Sequence, residues 1–289
     1  MKSSAPRIGF STNVFDNPAD IVTTVQHIIE HFTDLEIELE DDAKDVLLAA
    51  SAMEYRELTG KLARLLAHGN RQISVHAPYL ARSTDLAASD ESIRAEAIRQ
   101  VTLAIRFCAD VGGDRVTYHP GFQPQVADKP ALTASLKRSI EELQQVAGVI
   151  GVRLCLENMG AGRPKYLVYS PAGHVDLHRD TGTEVTLDLV HLATWCETQE
   201  EMDAQMAIYA PITANIHVND MPAGKHRHVP LGEGVLPIAH MLQRMRDLGY
   251  SGAAIIDEFA RPNTPDSYLA CTKRFLLHAR QESARHEGF

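Results

Sequence analysis

Eight short runs of apolar and β-branched residues punctuate the chain, and each is followed by a stretch with helical rather than alternating spacing. The runs are RIGFST (7–12), DLEIELE (34–40), QISVHAPY (72–79), DRVTYHPG (114–121), VRLCLENMG (152–160), GTEVTLDLVH (182–191), ITANIHVND (212–220) and SGAAIIDEF (251–259). Such short runs between turn residues read as strands. They begin 27 to 42 residues apart, room for one strand, one helix and two loops. Between them, residues 92–111 carry Ile93, Ala97, Val101, Ala104, Ile105 and Cys108 on one stripe, with Gly112-Gly113 as a stop. Residues 132–149 and 237–248 read the same way, the latter closed by Gly249. Eight such units predict a closed, parallel, eight-stranded (β/α)8 TIM barrel, with residues 1–289 as one domain. A doubly wound open sheet is the alternative, since strand–helix alternation does not say whether the sheet closes.

Composition narrows the class. The chain has 289 residues, 44% apolar and 23% charged, enough for a large core and unlike a disordered segment. The segment MKSSAPRIGF has no apolar signal stretch, and no window approaches the roughly 18 apolar residues of a spanning helix. The expected location is cytoplasmic, with no membrane partner. Cys108, Cys155, Cys196 and Cys271 are widely spaced with no CxxC pair, so they read as reduced core thiols. The net charge of −10 disfavours nucleic acid as a partner. Fourteen histidines are the anomaly, because neutral imidazole is the commonest metal ligand.

In parallel barrels the chemistry sits where strands end and the following loops begin. Those positions hold His76, His119, Glu157, Asp188 with His191, His217 with Asp220, His228, and the pair Asp257-Glu258. One strand-end histidine alone is more often a hydrogen-bonded wall residue than a ligand. Buried carboxylates and imidazoles converging on one rim are costly unless paired or bound to a cation. The set therefore predicts a divalent-metal site. Nitrogen and oxygen donors without thiolate suit zinc, manganese, cobalt or ferrous iron, zinc and manganese foremost, with room for one to three ions per chain.

Seven segments, HAPY (76–79), YHPGF (118–122), LENMG (156–160), LDLVH (187–191), IHVND (216–220), HVPLGEG (228–234) and GYSGAAIIDEF (249–259), stand in the order found in the xylose isomerase-like barrel superfamily, which the chain resembles over nearly its whole length. That superfamily includes sugar and sugar-phosphate isomerases and epimerases, and endonuclease IV. The resemblance implies a core metal site of Glu157, Asp188, His217 and an acid on the eighth strand, with His76, His119, His191 and His228 as the further ligands of endonuclease-like members. The chain departs from the endonuclease pattern at His226, where that pattern has aspartate. For the strand-eight acid, Asp257 and Glu258 both stand in reach. Glu258 is preferred for its longer carboxylate.

Two enzymatic readings follow. The first is isomerisation or epimerisation of a small sugar, sugar phosphate or polyol, with Glu157 and the strand-eight acid Glu258 as the acid/base pair and His191 orienting substrate or ligand. The second is phosphodiester hydrolysis at abasic DNA, to which Tyr79 and Leu80 would correspond as inserting residues. The acidic run ELEDDAKD (38–45) beside the expected mouth would repel a phosphate backbone, which ranks the sugar reading first and leaves the nuclease open. A non-catalytic metal or metabolite binder is the third reading, and a homo-oligomer is compatible with all three. Arg261 reads as a surface salt bridge, His174 and His178 as exposed helix or lid residues, Trp195 and Tyr250 as packing residues, and the GEG turn (232–234) as a close backbone approach.

Overall fold

The computed structural model describes residues 7–14, 21–39, 51–79, 81–123, 128–161, 166–168, 170–257 and 265–286. The strands are β1 (Ile8–Ser11), β2 (Leu35–Glu38), β3 (Ile73–His76), β4 (Arg115–Tyr118), β5 (Arg153–Glu157), β6 (Glu184–Asp188), β7 (Thr213–His217) and β8 (Ala254–Ile256). Each pairs in parallel with the next, and β8 pairs with β1 through Ile8↔Ala254 and Phe10↔Ile256, so the sheet closes into a barrel in sequence order. The closed form, not the open doubly wound sheet, is the architecture. All eight strands fall inside the runs read from the sequence.

The helices are α1 (Ile21–His31), α2 (Ala52–Leu66), α3 (Glu91–Asp110), α4 (Lys129–Ile150), α5 (Pro171–Thr181), α6 (Leu189–Ala193), α7 (Gln199–Tyr209), α8 (Ile238–Asp247) and α9 (Pro265–His286). Their ends are chemically marked. Asp90, Asp128, Ser170 and Thr198 cap α3, α4, α5 and α7 with a side-chain oxygen on a first-turn N–H. Gly151 and Gly182 close α4 and α5 in the left-handed conformation, at φ 88° and 75°. Helix α4 begins three residues before the expected stripe because Pro130 fits the first turn, where its missing N–H has no partner to lose.

Period two along each strand sorts the residues. Ile37, Val75, Val116, Leu154, Leu156, Val185, Leu187, Ile216 and Ile256 belong to the buried apolar core. The alternate positions carry Glu36, Ser74, Thr117, Thr186 and Asn215, all buried, and hydrogen bonds among Glu36, Thr117, Thr186 and Asn215 cross between strands. Where barrel interiors are usually filled by branched apolar side chains, this one has a polar layer directly beneath its mouth.

Candidate metal and active site

Two residues further along, the same alternation delivers the strand-end groups. Glu38, His76, Glu157, Asp188 and His217 each close their strand, and all are buried. The register holds them level: Glu38 is opposite His76 and Asp188 opposite His217. Asp188 also caps α6, its Oδ1 accepting the His191 N–H at 2.5 Å. One carboxylate thus fixes the helix that carries His191, which stands on that helix and not on the strand.

Glu157 is the hub. Its Oε2 accepts from His119 Nε2 at 2.8 Å and from His76 Nε2 at 3.3 Å, while Oε1 faces His191 Nδ1 at 3.2 Å and His217 Nδ1 at 3.5 Å. His217 Nδ1 also faces Asp257 Oδ2 at 3.2 Å. Among the described residues three groups of possible ligand atoms result, the atoms of each within 4.8 Å of one another: His76, His119 and Glu157; Glu157, Asp188, His217 and Asp257; and His191, His226 and His228. Glu157 belongs to two of them, one oxygen toward each.

Among the described residues no lysine or arginine is paired with Glu157, Asp188 or Asp257; the ion-pair partners in reach are imidazoles. The electrostatics follow from that. Burial pushes Glu157 up, but His119, His191 and His217 outweigh it and hold the carboxyl well below the ordinary range. Burial wins at Asp188, which is pushed up to about 6, with Asp257 and Glu157 adding like charge against His191 and His228. Burial disfavours the charged form of His76 and His191, yet the carboxylates around them raise these rings to about 10 and about 9. At His119 burial prevails over Glu157 and the pKa is lowered. Without a metal, His76, His191 and His217, whose rings the carboxylates raise, carry the positive charge that the acids require.

Several sequence expectations are refined. His226 brings its ring 5.2 Å from His191 and 5.9 Å from His228, so the departure from the endonuclease pattern replaces a carboxylate by an imidazole without removing a donor. Gly160 makes room for it, since a Cβ there would lie 2.5 Å from His226 Cε1 and 2.9 Å from His191 Cδ2. Asp220 joins none of the three groups. Its carboxylate accepts from the N–H groups of Met221, Gly232 and Leu236 and folds the GEG loop, where a Cβ on Gly234 would clash with it. His174 is not exposed: it is buried, with hydrogen bonds to Ser170 O and the Tyr209 hydroxyl, and it reaches the Glu157 carbonyl from behind at 3.4 Å. His178 is half-buried and bonds Thr183 O at 2.9 Å. Glu38, the first residue of the acidic run placed beside the mouth, is buried 3.9 Å from His76. Glu258, Arg261, Leu80 and residues 40–45 lie outside the described residues. Asp257 is described and buried. Tyr79 and Tyr166 flank His119 at ring distances of 4.3 and 5.5 Å, an aromatic border to the site.

Sequence reasoning missed Glu36, a carboxylate with no exposed surface one alternation below Glu38 on β2. Its signal was the alternation itself: Glu36 stands two residues before Glu38, as Thr117 stands before His119, Thr186 before Asp188 and Asn215 before His217. Burial pushes Glu36 up, but His217 and His76 outweigh it and hold it at about 2.

Fold and site together define a parallel (β/α)8 barrel whose C-terminal mouth gathers histidines and carboxylates from five of its eight strands and from the adjoining loops. The sequence profile of the family described as xylose isomerase-like TIM barrel matches residues 34–276, and the chain belongs to that family. It is 27% identical over 207 residues to L-ribulose-5-phosphate 3-epimerase UlaE of Escherichia coli O1:K1, covering 70% of each chain. It is 24% identical over 193 residues to the uncharacterised protein MJ1311 of Methanocaldococcus jannaschii, covering 64% of each. Among solved structures, a D-tagatose 3-epimerase-like protein superposes with a TM-score of 0.77 at 20% identity, over 97% of this chain and 99% of that one. An L-ribulose 3-epimerase does so with 0.77 at 17%, over 98% and 97%. The IolI protein, whose structure holds a bound zinc atom, gives 0.73 at 16%, over 96% and 99%. Named relatives and structural neighbours therefore include sugar epimerases.

Proposed function

We propose that the chain is a divalent-metal-dependent isomerase or epimerase that moves a proton between adjacent carbons of a small sugar, sugar phosphate or polyol. The observation that carries this is the convergence of Glu157, Asp188, His217 and Asp257, with ligand atoms within 4.8 Å of one another. Three carboxylates and one imidazole form a mixed oxygen and nitrogen set that fits zinc or manganese. They are buried with no lysine or arginine paired to them among the described residues, so a cation offsets their mutual repulsion. The relatives named as 3-epimerases support the reaction class.

A divalent ion held by Glu157, Asp188, His217 and Asp257 would supply positive charge against the oxygens of a hydroxycarbonyl substrate. The chain's own groups do the rest. Glu157 and the strand-eight acid, Asp257 with Glu258 as its neighbour outside the described residues, flank His217 and take and return the proton. His191 holds its Nδ1–H between the Asn158 carbonyl at 2.9 Å and Glu157 Oε1 at 3.2 Å, which orients that ligand carboxylate and leaves Nε2 for substrate. Tyr79 and Tyr166 narrow the approach and limit water at the reacting carbons.

A second reading has its own support. The groups His76–His119–Glu157 and His191–His226–His228 exceed what one ion requires, and clustered ions suit phosphodiester hydrolysis at abasic DNA. The net charge of −10 weighs against it.

The test is elemental analysis of the purified protein and of Glu157→Gln, with turnover measured on a panel of ketoses and aldoses and on an abasic duplex at low salt. The expected result is at least one divalent transition metal per chain, chelator-sensitive sugar conversion, and about a 10³-fold loss of rate with lowered metal in the variant. Equal metal in both proteins removes Glu157 from the site. Strand cleavage without sugar conversion transfers the assignment to the second reading.

A further inference from the structure

His217 is useful to a cation only if its Nδ1, the nitrogen facing Glu157 and Asp257, carries a lone pair and its proton sits on Nε2. We infer that Glu36 is the positioning residue that enforces this, as the last member of a hydrogen-bonded relay rising through the barrel interior from the backbone at Ala253 to the mouth. The relay rests on the metal reading above for its purpose, though not for its geometry.

Each link has its direction fixed by the one below. The Ala253 backbone N–H, which only donates, meets Gln72 Oε1 at 2.8 Å. That fixes the Gln72 amide, whose Nε2 then donates to Asn215 Oδ1 at 3.1 Å. With its oxygen used, Asn215 presents Nδ2, which donates to Glu36 Oε2 at 2.9 Å. The Thr117 hydroxyl donates to the same oxygen at 3.2 Å. An ionised carboxylate only accepts, so Glu36 Oε1 accepts from His217 Nε2 at 2.8 Å. A neutral imidazole has one N–H, and placing it on Nε2 leaves Nδ1 as the lone-pair nitrogen. Glu36, Asn215 and His217 have no exposed surface, so bulk solvent does not reach them. Glu36 belongs to none of the three groups of possible ligands. Its carboxylate therefore serves as the outer partner of a carboxylate–histidine–metal arrangement.

Glutamine at this position is nearly isosteric and breaks the logic. If its NH2 faces His217 it demands a lone pair on Nε2 and forces the proton onto Nδ1. If its oxygen faces His217, its NH2 meets the donors of Asn215 and Thr117.

The experiment titrates zinc into the chelator-treated full chain by calorimetry and follows the His217 ring by ¹⁵N NMR. It compares wild type with Glu36→Gln, Gln72→Met and Thr186→Val, whose hydroxyl touches Thr117 at 2.8 Å but not Glu36. The expected result is a loss of zinc affinity of about 10- to 100-fold in Glu36→Gln and a smaller loss in Gln72→Met. Thr186→Val stays within twofold of wild type. A low-field, exchange-protected His217 Nε2–H signal is expected in wild type and Thr186→Val and is absent from Glu36→Gln. Wild-type affinity in Glu36→Gln, or equal weakening in Thr186→Val, overturns the inference. If wild type takes up no zinc, the metal reading fails, and the Nε2–H signal still decides whether Glu36 holds His217. If Glu36→Gln does not fold, Gln72→Met decides by the same two measurements.

Discussion

The two ends of the barrel use the same classes of residue to opposite purposes. At the N-terminal end Arg7 forks onto Asp34 with contacts of 3.1 and 2.5 Å, and Asp34 also accepts the Gln72 backbone N–H at 2.8 Å. Arg115 forks onto Asp114 at 2.8 Å through each nitrogen and reaches the Ala214 carbonyl across the interior at 2.5 Å. Each acid there has its own guanidinium, and a guanidinium does not give up its proton. At the C-terminal end Glu157, Asp188 and Asp257 share one space and face imidazoles, which do. The lower end is therefore a closed ionic structure that fastens strands together. The upper end holds charge that a cation can take over.

That contrast breaks most visibly under chelation. With free metal at 100 times its dissociation constant, the loaded protein should resist unfolding by about 2.7 kcal/mol more than the same protein in chelator, since the ion binds only the folded site. The pH dependence sharpens the point. His76 and His191 have folded pKa values raised to about 10 and about 9 from 6.5. In metal-free protein their contribution is complete below about pH 6.5 and is lost as pH rises through 9 to 10. Metal affinity runs the other way, rising with pH as protons leave the ligands. Denaturant midpoints at pH 6.5, 8 and 9.5, with and without metal, measure both, and parallel curves would contradict the exchange of proton for ion.

At the lower end, Arg115→Met should cost about 2 kcal/mol in a denaturation curve, because it leaves the buried Ala214 carbonyl without its donor. Metal content should not change, and a drop in bound metal would mean that the two ends are not separate. The smallest effect is expected from Gly160→Ala. The added methyl meets the exposed ring of His226, which can swing aside, and the buried ring of His191 at 2.9 Å, which is held by Asn158, so stability should fall by about 1 kcal/mol. Uptake of metal at high concentration should fall by the share held at His191, His226 and His228, while tight binding at the Glu157–Asp188–His217–Asp257 group is retained.

How much of this was legible beforehand differs by residue. His76, Glu157, Asp188 and His217 stood out as polar ends of apolar runs, and they are neighbours in space because parallel strands of one barrel end on one face. His191 was found with Asp188 although it lies on a helix, because capping keeps the two adjacent in sequence. His174 was misread because a lone helix gives no hint that Tyr209 and the back of β5 will close over it. His226 and Gly160 are 66 residues apart in the chain, and neither suggests the other until the loops are folded over the mouth.

The sequence by itself determined the order and number of strand–helix units and which residues end each strand, since those follow from local periodicity and capping. Only the tertiary structure decided that Glu36 meets His217, which is 181 positions away. Closing the sheet brings the inner faces of distant strands within hydrogen-bond reach, and a side chain's partner across that interior depends on register and closure rather than on its neighbours in the chain.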